Sequence, residues 1–180
     1  KAIAFATANL ARLGLDKQVA VQAIDLFPEG RADLIVCNPP WLPAKPTSAV
    51  ETALYDPDNA MLTAFLKGVR QHLNPQGEAW LIISDLAEHL YLRDRDFLEQ
   101  CFQTTSLEMV DILKTKPRHR KAADKSDPLA FARNRETTYL YRLKAKSRYT
   151  IRSSETHTRH THATDKIPPI TRHRQPQTMP

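Results

Sequence analysis

Four consecutive residues, Asn38-Pro39-Pro40-Trp41, are the part of this sequence best suited to chemistry. Asn38 and Pro39 both precede a proline, which keeps them out of the helical region, and each proline has a fixed φ angle. The stiff backbone places two acceptors, the Asn38 side-chain oxygen and the Pro39 carbonyl, beside the flat indole of Trp41. This set suits a planar group that carries an NH2, because each acceptor takes one N–H while the indole stacks on the ring or amide plane.

Such an amine is a weak nucleophile because its lone pair is delocalised into the π system. Acceptors that hold both hydrogens favour the more pyramidal and more electron-rich nitrogen of a transition state, which is differential binding. No strong general base is needed if the electrophile is already activated. The four residues are therefore predicted to orient an amine for group transfer, and a structural stop between strand and loop is the simpler alternative.

A strand must place these four residues, called the Asn38 corner below, at the edge of a sheet. Residues 33–37 are continuously apolar from Leu34, as expected for a parallel strand that is covered on both faces. In open α/β sheets, ligands bind outside the carboxyl ends of the strands, and Asn38 follows such an end.

Helical and extended patterns alternate along the first 145 residues. The apolar periodicities predict helices over 1–13, 60–73 (with Asp58 as N-cap) and 86–102, continuous or broken. They also predict strands over 19–24, 33–37, 79–83, 107–113 and 137–143. This alternation favours an α/β fold with a mainly parallel sheet. The last two strands are separated by a loop alone, which favours an antiparallel hairpin at the C-terminal end.

The composition changes near residue 146 of the 180. Residues 147–180 contain seven Thr, four His and four Pro but no Leu, Val, Phe or Trp. We therefore predict a folded domain over 1–145 and a disordered basic tail over 146–180. Residues 147–180 hold six Lys or Arg and two acids, so they supply most of the net charge of +6, and the rest of the chain is nearly neutral.

The two cysteines, Cys37 and Cys101, are far apart, which argues against a disulfide scaffold and fits a reducing, cytoplasmic location. No apolar run is long enough for a membrane span, and the first residues do not look like a signal peptide. Cys37 is expected to be a buried structural thiol.

Three residues with metal-binding side chains, Asp85, Glu88 and His89, follow a strand end and could rim a pocket. A solvated helix face is the default interpretation, and no metal site is predicted.

A strand followed by Asn-Pro-Pro-aromatic resembles the class I S-adenosylmethionine-dependent methyltransferases, most closely their amino-methylating branch. The resemblance covers residues 1 to about 145 and implies a Rossmann-like sheet with S-adenosyl-L-methionine as cofactor. It implies catalytic roles for Asn38, Pro39 and Trp41, and a cofactor site formed by Asp25, Leu26 and Asn38. The acceptor it implies is an amino group of RNA or DNA, or a protein glutamine.

The sequence departs from this family at its beginning. The family's first strand with its Gly-rich cofactor loop, and its second strand, have no counterpart in the sequence, whose four glycines form no G-x-G. We therefore expect a partial Rossmann-like sheet that lacks the first two strands, an N-terminally truncated catalytic domain. Such a chain is expected to bind the cofactor weakly or not at all by itself.

A second hypothesis belongs to another class, a non-catalytic nucleic-acid-binding module. The basic loop 114–125 would contact phosphates and Trp41 would stack on a base, and RNA would bind in a salt-dependent way without methyl transfer. The pair of acceptors at Asn38 and Pro39, the amine clamp, has no clear purpose in such a module. A nucleotide-binding oxidoreductase of related fold would lack its phosphate loop and leaves Asn38 unexplained.

Overall fold

The apolar segments form a four-stranded sheet with helices packed on one face. The computed structural model describes residues 1–46, 54–118 and 129–146. The helices are α1 (Ala2–Arg12), α2 (Ala60–His72), α3 (Leu86–His89), α4 (Phe97–Thr104) and α5 (Ala130–Arg133), and a 3-10 turn (Pro57–Asn59) precedes α2. The strands are β1 (Ala32–Cys37), β2 (Leu73–Ser84), β3 (Leu107–Thr115) and β4 (Thr138–Ala145).

The sheet is mixed, with the strand order β1-β2-β4-β3. β1 and β2 are parallel, whereas β4 is antiparallel to both of its neighbours, β2 and β3. The α/β class and the antiparallel hairpin of the last two strands are confirmed. Parallel pairing is confined to β1 and β2 in the part of the chain that the structure describes.

The core lies on the face of the sheet that α2 and α4 cover. Leu81 is in register with Cys37 on one side and Tyr141 on the other, so these side chains share that inner face. The apolar stripe of α2, formed by Leu62, Phe65, Leu66 and Val69, packs there and is at most 3% exposed. The helical period of that stripe buries one face of α2, as the sequence predicts.

Gly77 allows β1 to approach β2 closely. A Cβ atom at this position would lie 2.8 Å from the carbonyl oxygen of Ala32, closer than real Cβ contacts come. The glycine is therefore needed where the two parallel strands begin to pair.

The opposite, outer face of the sheet is open to solvent among the described residues. Leu34 and Val36 of β1 are 46% and 54% exposed, and Leu113 of β3 is 52% exposed. Arg142 crosses this face, where it makes two hydrogen bonds of 2.9 Å to the Glu78 carboxylate. This pairing lowers the pKa of Glu78 to about 2, chiefly because Arg142 donates to it.

One predicted strand is absent. The predicted strand 19–24 is irregular in the structure, and both Val19 and Ile24 are nearly half exposed. A strand needs a hydrogen-bonded neighbour, and no described strand lies beside this segment. The strand prediction for 19–24 is therefore wrong, although the segment is apolar.

The helix predicted over 86–102 is broken into α3 and α4, and α5 was not predicted. Asp58 is not the N-cap of α2: that position belongs to Asn59, and both residues have positive φ angles.

The predicted tail lies outside the described residues except for Lys146, and so do residues 119–125 of the basic loop. No helix in the described ranges is long and apolar enough to cross a membrane.

Candidate active site

Asn38 lies directly after β1, at the carboxyl end of the strand, with its side chain exposed. The indole N–H of Trp41 donates to the Asn38 side-chain oxygen at 3.0 Å. Pro39 is buried and Pro40 half-buried, so the backbone of the corner is anchored while the carboxamide faces outward. The corner is therefore not turned into the core.

The hydrogen bond from Trp41 sets the orientation of the Asn38 carboxamide. An amide oxygen has two lone pairs, and Trp41 uses one of them. The other can accept an N–H from a ligand, and its direction is fixed because the oxygen end of the amide is tied to the indole. Trp41 itself is half-buried and packs against the core, so its ring is held while it flanks the carboxamide.

Arg93 holds the far side of the corner. Its side chain is 0% exposed, and its Nη2 donates to the Trp41 carbonyl at 2.9 Å. Its Nε donates to Asn59 Oδ1 at 2.8 Å, and its Nη1 lies 3.5 Å from Glu88 Oε1. One guanidinium thus connects the corner, the start of α2 and helix α3.

Asp56 caps the first turn of α2 and connects it to the segment that follows Trp41. Its buried carboxylate accepts the backbone N–H groups of Met61 and Leu62 at 2.8 and 3.0 Å. Its own N–H donates to the Leu42 carbonyl at 2.8 Å, so the segment after Trp41 is tied to the helix start.

Cys37 precedes Asn38 and is buried, as expected of a structural thiol. Burial, and then the charge of Asp56, raise the pKa of Cys37 to about 11. Its thiol is therefore protonated at neutral pH and is a poor nucleophile.

The two residues assigned to the cofactor adenine lie in an irregular segment between α1 and β1. Asp25 is exposed, and its carbonyl accepts the Phe27 N–H at 2.8 Å in a tight turn. Leu26 has a φ of 60° and packs against the core. The turn therefore presents the Asp25 carboxylate outward while Leu26 anchors it.

Asp85 is more than a solvated helix residue. Its Oδ1 accepts the Thr137 N–H at 2.6 Å and its Oδ2 accepts the Tyr139 hydroxyl at 3.3 Å, which ties the end of β2 to the start of β4. His89 Nε2 lies 3.5 Å from the same carboxylate. Within the described ranges, no group of three metal-ligating side chains is present.

The described part of the basic loop is partly occupied by structural contacts. Lys116 Nζ donates to the carbonyls of Arg135 and Glu136 and to the Thr137 hydroxyl, at 2.8 to 3.1 Å. This lysine therefore fastens the chain before β4. The other basic residues of the loop that the structure describes are Lys114 and Arg118, which make the loop the candidate phosphate contact of the second hypothesis.

Sequence reasoning missed Arg93 and Asp56. Both are charged residues in segments that read as loop or helix, and neither belongs to a motif. The available signal is weak: an Asp shortly before a helix is a capping type, whereas nothing near Arg93 in sequence predicts its burial.

Three solved structures that the chain matches carry the word methyltransferase, or its abbreviation, in their names. StiE O-MT, residues 961–1257, has a TM-score of 0.53 and 14% identity over 81% of this chain and 56% of that one. The O-methyltransferase from a trans-AT PKS multienzyme of Brevibacillus brevis, in complex with S-adenosyl-L-homocysteine, has a TM-score of 0.49 and 13% identity, covering 84% and 58%. The B. subtilis tRNA methyltransferase TrmK has a TM-score of 0.46 and 11% identity, covering 82% and 47%.

The chain spans about half the length of these solved structures. The likeness to StiE O-MT supports the methyltransferase fold, and no curated protein matches the sequence. The family sequence model named methyltransferase small domain matches residues 1–111, which is more than half of the chain and includes the whole corner. The chain therefore belongs to the methyltransferase small domain family.

Proposed function

We propose that this chain forms part of an enzyme that transfers a methyl group from S-adenosyl-L-methionine to a planar amino group. The family supports methyl transfer, and the exposed Asn38 carboxamide, oriented by Trp41 at 3.0 Å, supports an amine as the acceptor. That hydrogen bond is the observation that carries the proposal. It prepares an acceptor at the carboxyl end of a strand, where ligands bind in sheets of this kind.

Asn38 and Pro39 orient the acceptor nitrogen. The free lone pair of Asn38 Oδ1 takes one N–H and the Pro39 carbonyl takes the other, so the nitrogen lone pair is directed away from the corner. These hydrogen bonds strengthen as the nitrogen becomes pyramidal and its N–H groups more acidic, which lowers the barrier rather than only the binding energy. The Trp41 indole flanks the planar group and excludes water from it.

The cofactor supplies a methyl group that is already activated by a sulfonium centre. An exposed carboxylate is suited to the amino group of adenine, and the chain offers Asp25 for this role, whereas the Asn38 side-chain oxygen is committed to Trp41 and the acceptor amine. Leu26 holds the Asp25 turn against the core. Because the electrophile is activated, the residues contribute chiefly by positioning.

The same geometry supports two kinds of acceptor. A nucleobase exocyclic amine of RNA or DNA, and the side-chain amide of a protein glutamine, are both planar and both carry an NH2. A base within a helix must first be unstacked to reach the corner. The NH2 group that these acceptors share is the group that Asn38 and Pro39 are proposed to hold.

The test replaces Asn38 with alanine in the natural protein that contains this sequence. Asn38→Ala is expected to lower kcat for radiolabelled methyl transfer by at least about 100-fold, as loss of an oriented polar group at a reacting centre does. Calorimetric affinity for S-adenosylhomocysteine should change little, which separates a lost clamp from a lost fold. Asn9→Ala, an exposed asparagine of α1, is the matched control.

Wild-type turnover by Asn38→Ala would overturn the amine clamp. Salt-dependent RNA binding without transfer to RNA, DNA or protein would favour the non-catalytic module instead.

A further inference from the structure

A second recess lies away from the Asn38 corner. A cavity of about 790 Å³ runs between α4 and the strands β3 and β4, and residues 38–41 do not line it. Its volume lies within the range of ligand-binding clefts. Tyr139 and Lys146 line it at opposite ends of β4, and at roughly 3.3 Å per residue they stand roughly 20 Å apart. The groove is therefore elongated along the strands.

One wall of the groove is aromatic. The Tyr139 and Tyr141 rings are stacked with centroids 5.7 Å apart, and Phe102 of α4 meets Tyr141 edge-on at 5.5 Å. Met109 and Ile112 of the edge strand β3 continue the same face of the sheet, because Ile112 is in register with Tyr141, and they are 51% and 39% exposed. Apolar side chains of this size on an open edge are available for a partner.

An unpaired carboxylate oxygen stands at the end of the groove formed by α3. In the part of the chain that the structure describes, Glu88 Oε2 is shielded from solvent and has no hydrogen-bond partner, whereas the shielded His89 Nε2 lies 3.5 Å from Asp85. The other oxygen of Glu88 faces Arg93, which is already bonded to Trp41 and Asn59. A buried carboxylate oxygen without a donor is costly, and a bound donor would remove that cost.

The charges that line the groove favour a cation. Four carboxylates line it, from Asp85, Glu88, Glu99 and Glu108, against two cations, Arg95 and Lys146. Asp85 is 22% exposed and lies beside Tyr139, so acidic and aromatic groups share one end. Aromatic faces next to carboxylates attract ammonium and guanidinium groups.

We propose that this groove binds an extended polypeptide segment that inserts an arginine or lysine side chain between Glu88 and the tyrosine pair. The elongated shape suits a peptide backbone lying along β3. The cation supplies the donor that Glu88 Oε2 lacks, and its aliphatic stem packs on Tyr139 and Tyr141. The proposal is independent of methyl transfer, because it uses none of the residues of the Asn38 corner.

The test compares two peptides that differ in charge alone. The probes are acetyl-Ala-Ala-Arg-Ala-Ala-amide and the same peptide with citrulline in place of arginine, titrated into the chain while the Tyr139 and Tyr141 amides are followed by NMR. The arginine peptide should shift these amides, and the citrulline peptide should bind at least tenfold more weakly. This comparison needs no substitution, so it decides the question even if a variant fails to fold.

Two variants then locate the cation. Glu88→Gln should weaken the arginine peptide at least tenfold, whereas Asp16→Asn, which removes the same charge at an exposed position outside the groove, should leave its affinity unchanged. Equal binding of the two peptides, shifts confined to other residues, or full affinity in a folded Glu88→Gln variant would each overturn the proposal. Self-association through these amides, measured without peptide, would assign the groove to a second copy of the chain and would also overturn it.

Discussion

The hydrogen bond between Trp41 and Asn38 joins the two side chains that the proposed chemistry uses. An unrestrained exposed amide would rotate and present oxygen and nitrogen alternately. The indole N–H at 3.0 Å selects the oxygen and fixes it before a ligand arrives. Such preorganisation matters because a ligand then need not pay the cost of ordering the carboxamide.

The residue-scale prediction is that Trp41→Phe keeps a ring and loses this orientation. A hydrogen bond of this kind contributes about 0.5–1.5 kcal/mol, so kcat for methyl transfer should fall about two- to tenfold. Cofactor affinity, measured by calorimetry, should stay the same. Trp80→Phe is the control, because its indole N–H donates to Glu78 Oε2 at 2.9 Å on the outer face of the sheet. A larger effect from Trp80 than from Trp41 would contradict the assignment.

The sequence was sufficient to propose a role for Asn38 because that proposed role depends on neighbours one to three positions away. Strand, prolines and aromatic side chain are contiguous, so local rules were sufficient. Arg93 could not be found in this way. Its partners Asn59 and Trp41 lie 34 and 52 residues away, and only the assembled fold brings them to one guanidinium.

At the scale of elements, α2 starts where Asp56 accepts two backbone N–H groups. These donors belong to the first turn of the helix, which has no intrahelical partners for them. Because the carboxylate is buried, water cannot replace it. The capping group therefore lies two residues before the predicted one, Asp58.

The matched substitutions Asp56→Asn and Asp58→Asn test this assignment. Asp56→Asn turns one acceptor into a donor that faces an N–H, so the free energy of unfolding should fall by about 1–2 kcal/mol. Asp58→Asn keeps a residue that tolerates its φ of 56°, and the change should stay within about 0.5 kcal/mol. Urea denaturation measures both changes in the free energy of unfolding. Equal destabilisation by the two substitutions would contradict the assignment of Asp56 as the capping residue.

The strands that the sequence predicted correctly are those whose neighbours lie in the described sheet. β1, β2, β3 and β4 each have a paired ladder, and their apolar runs were sufficient evidence. The segment 19–24 has an equally apolar pattern and forms no strand. Apolar periodicity reports which side chains can be buried, whereas a strand also requires a partner backbone, which local sequence does not reveal.

At the scale of the whole molecule, the helices described leave one face of the sheet bare. Leu34 and Val36 project from β1, whose second edge has no described neighbour, and both are about half exposed. An open edge with apolar side chains is a template for pairing with another copy.

The 180-residue chain is therefore expected to self-associate as its concentration rises, through β1. Val36→Lys should weaken this association at least tenfold by sedimentation velocity, because a charge on the contact face must be desolvated. Ile3→Lys adds the same charge on α1, where Ile3 is 44% exposed, and should change the association less than twofold. Equal effects of the two lysines would indicate a general charge effect.

The buried Arg93 also determines how the Asn38 corner can fluctuate. Its guanidinium has a fixed geometry, so releasing the Trp41 carbonyl would leave a desolvated donor facing no acceptor. Small local openings of the corner are consequently expensive, and amide protons there should exchange together with those of α2 rather than as a frayed loop. Heat should then abolish the proposed activity at the temperature at which the fold itself is lost, with no range in which the chain is folded but the corner has melted.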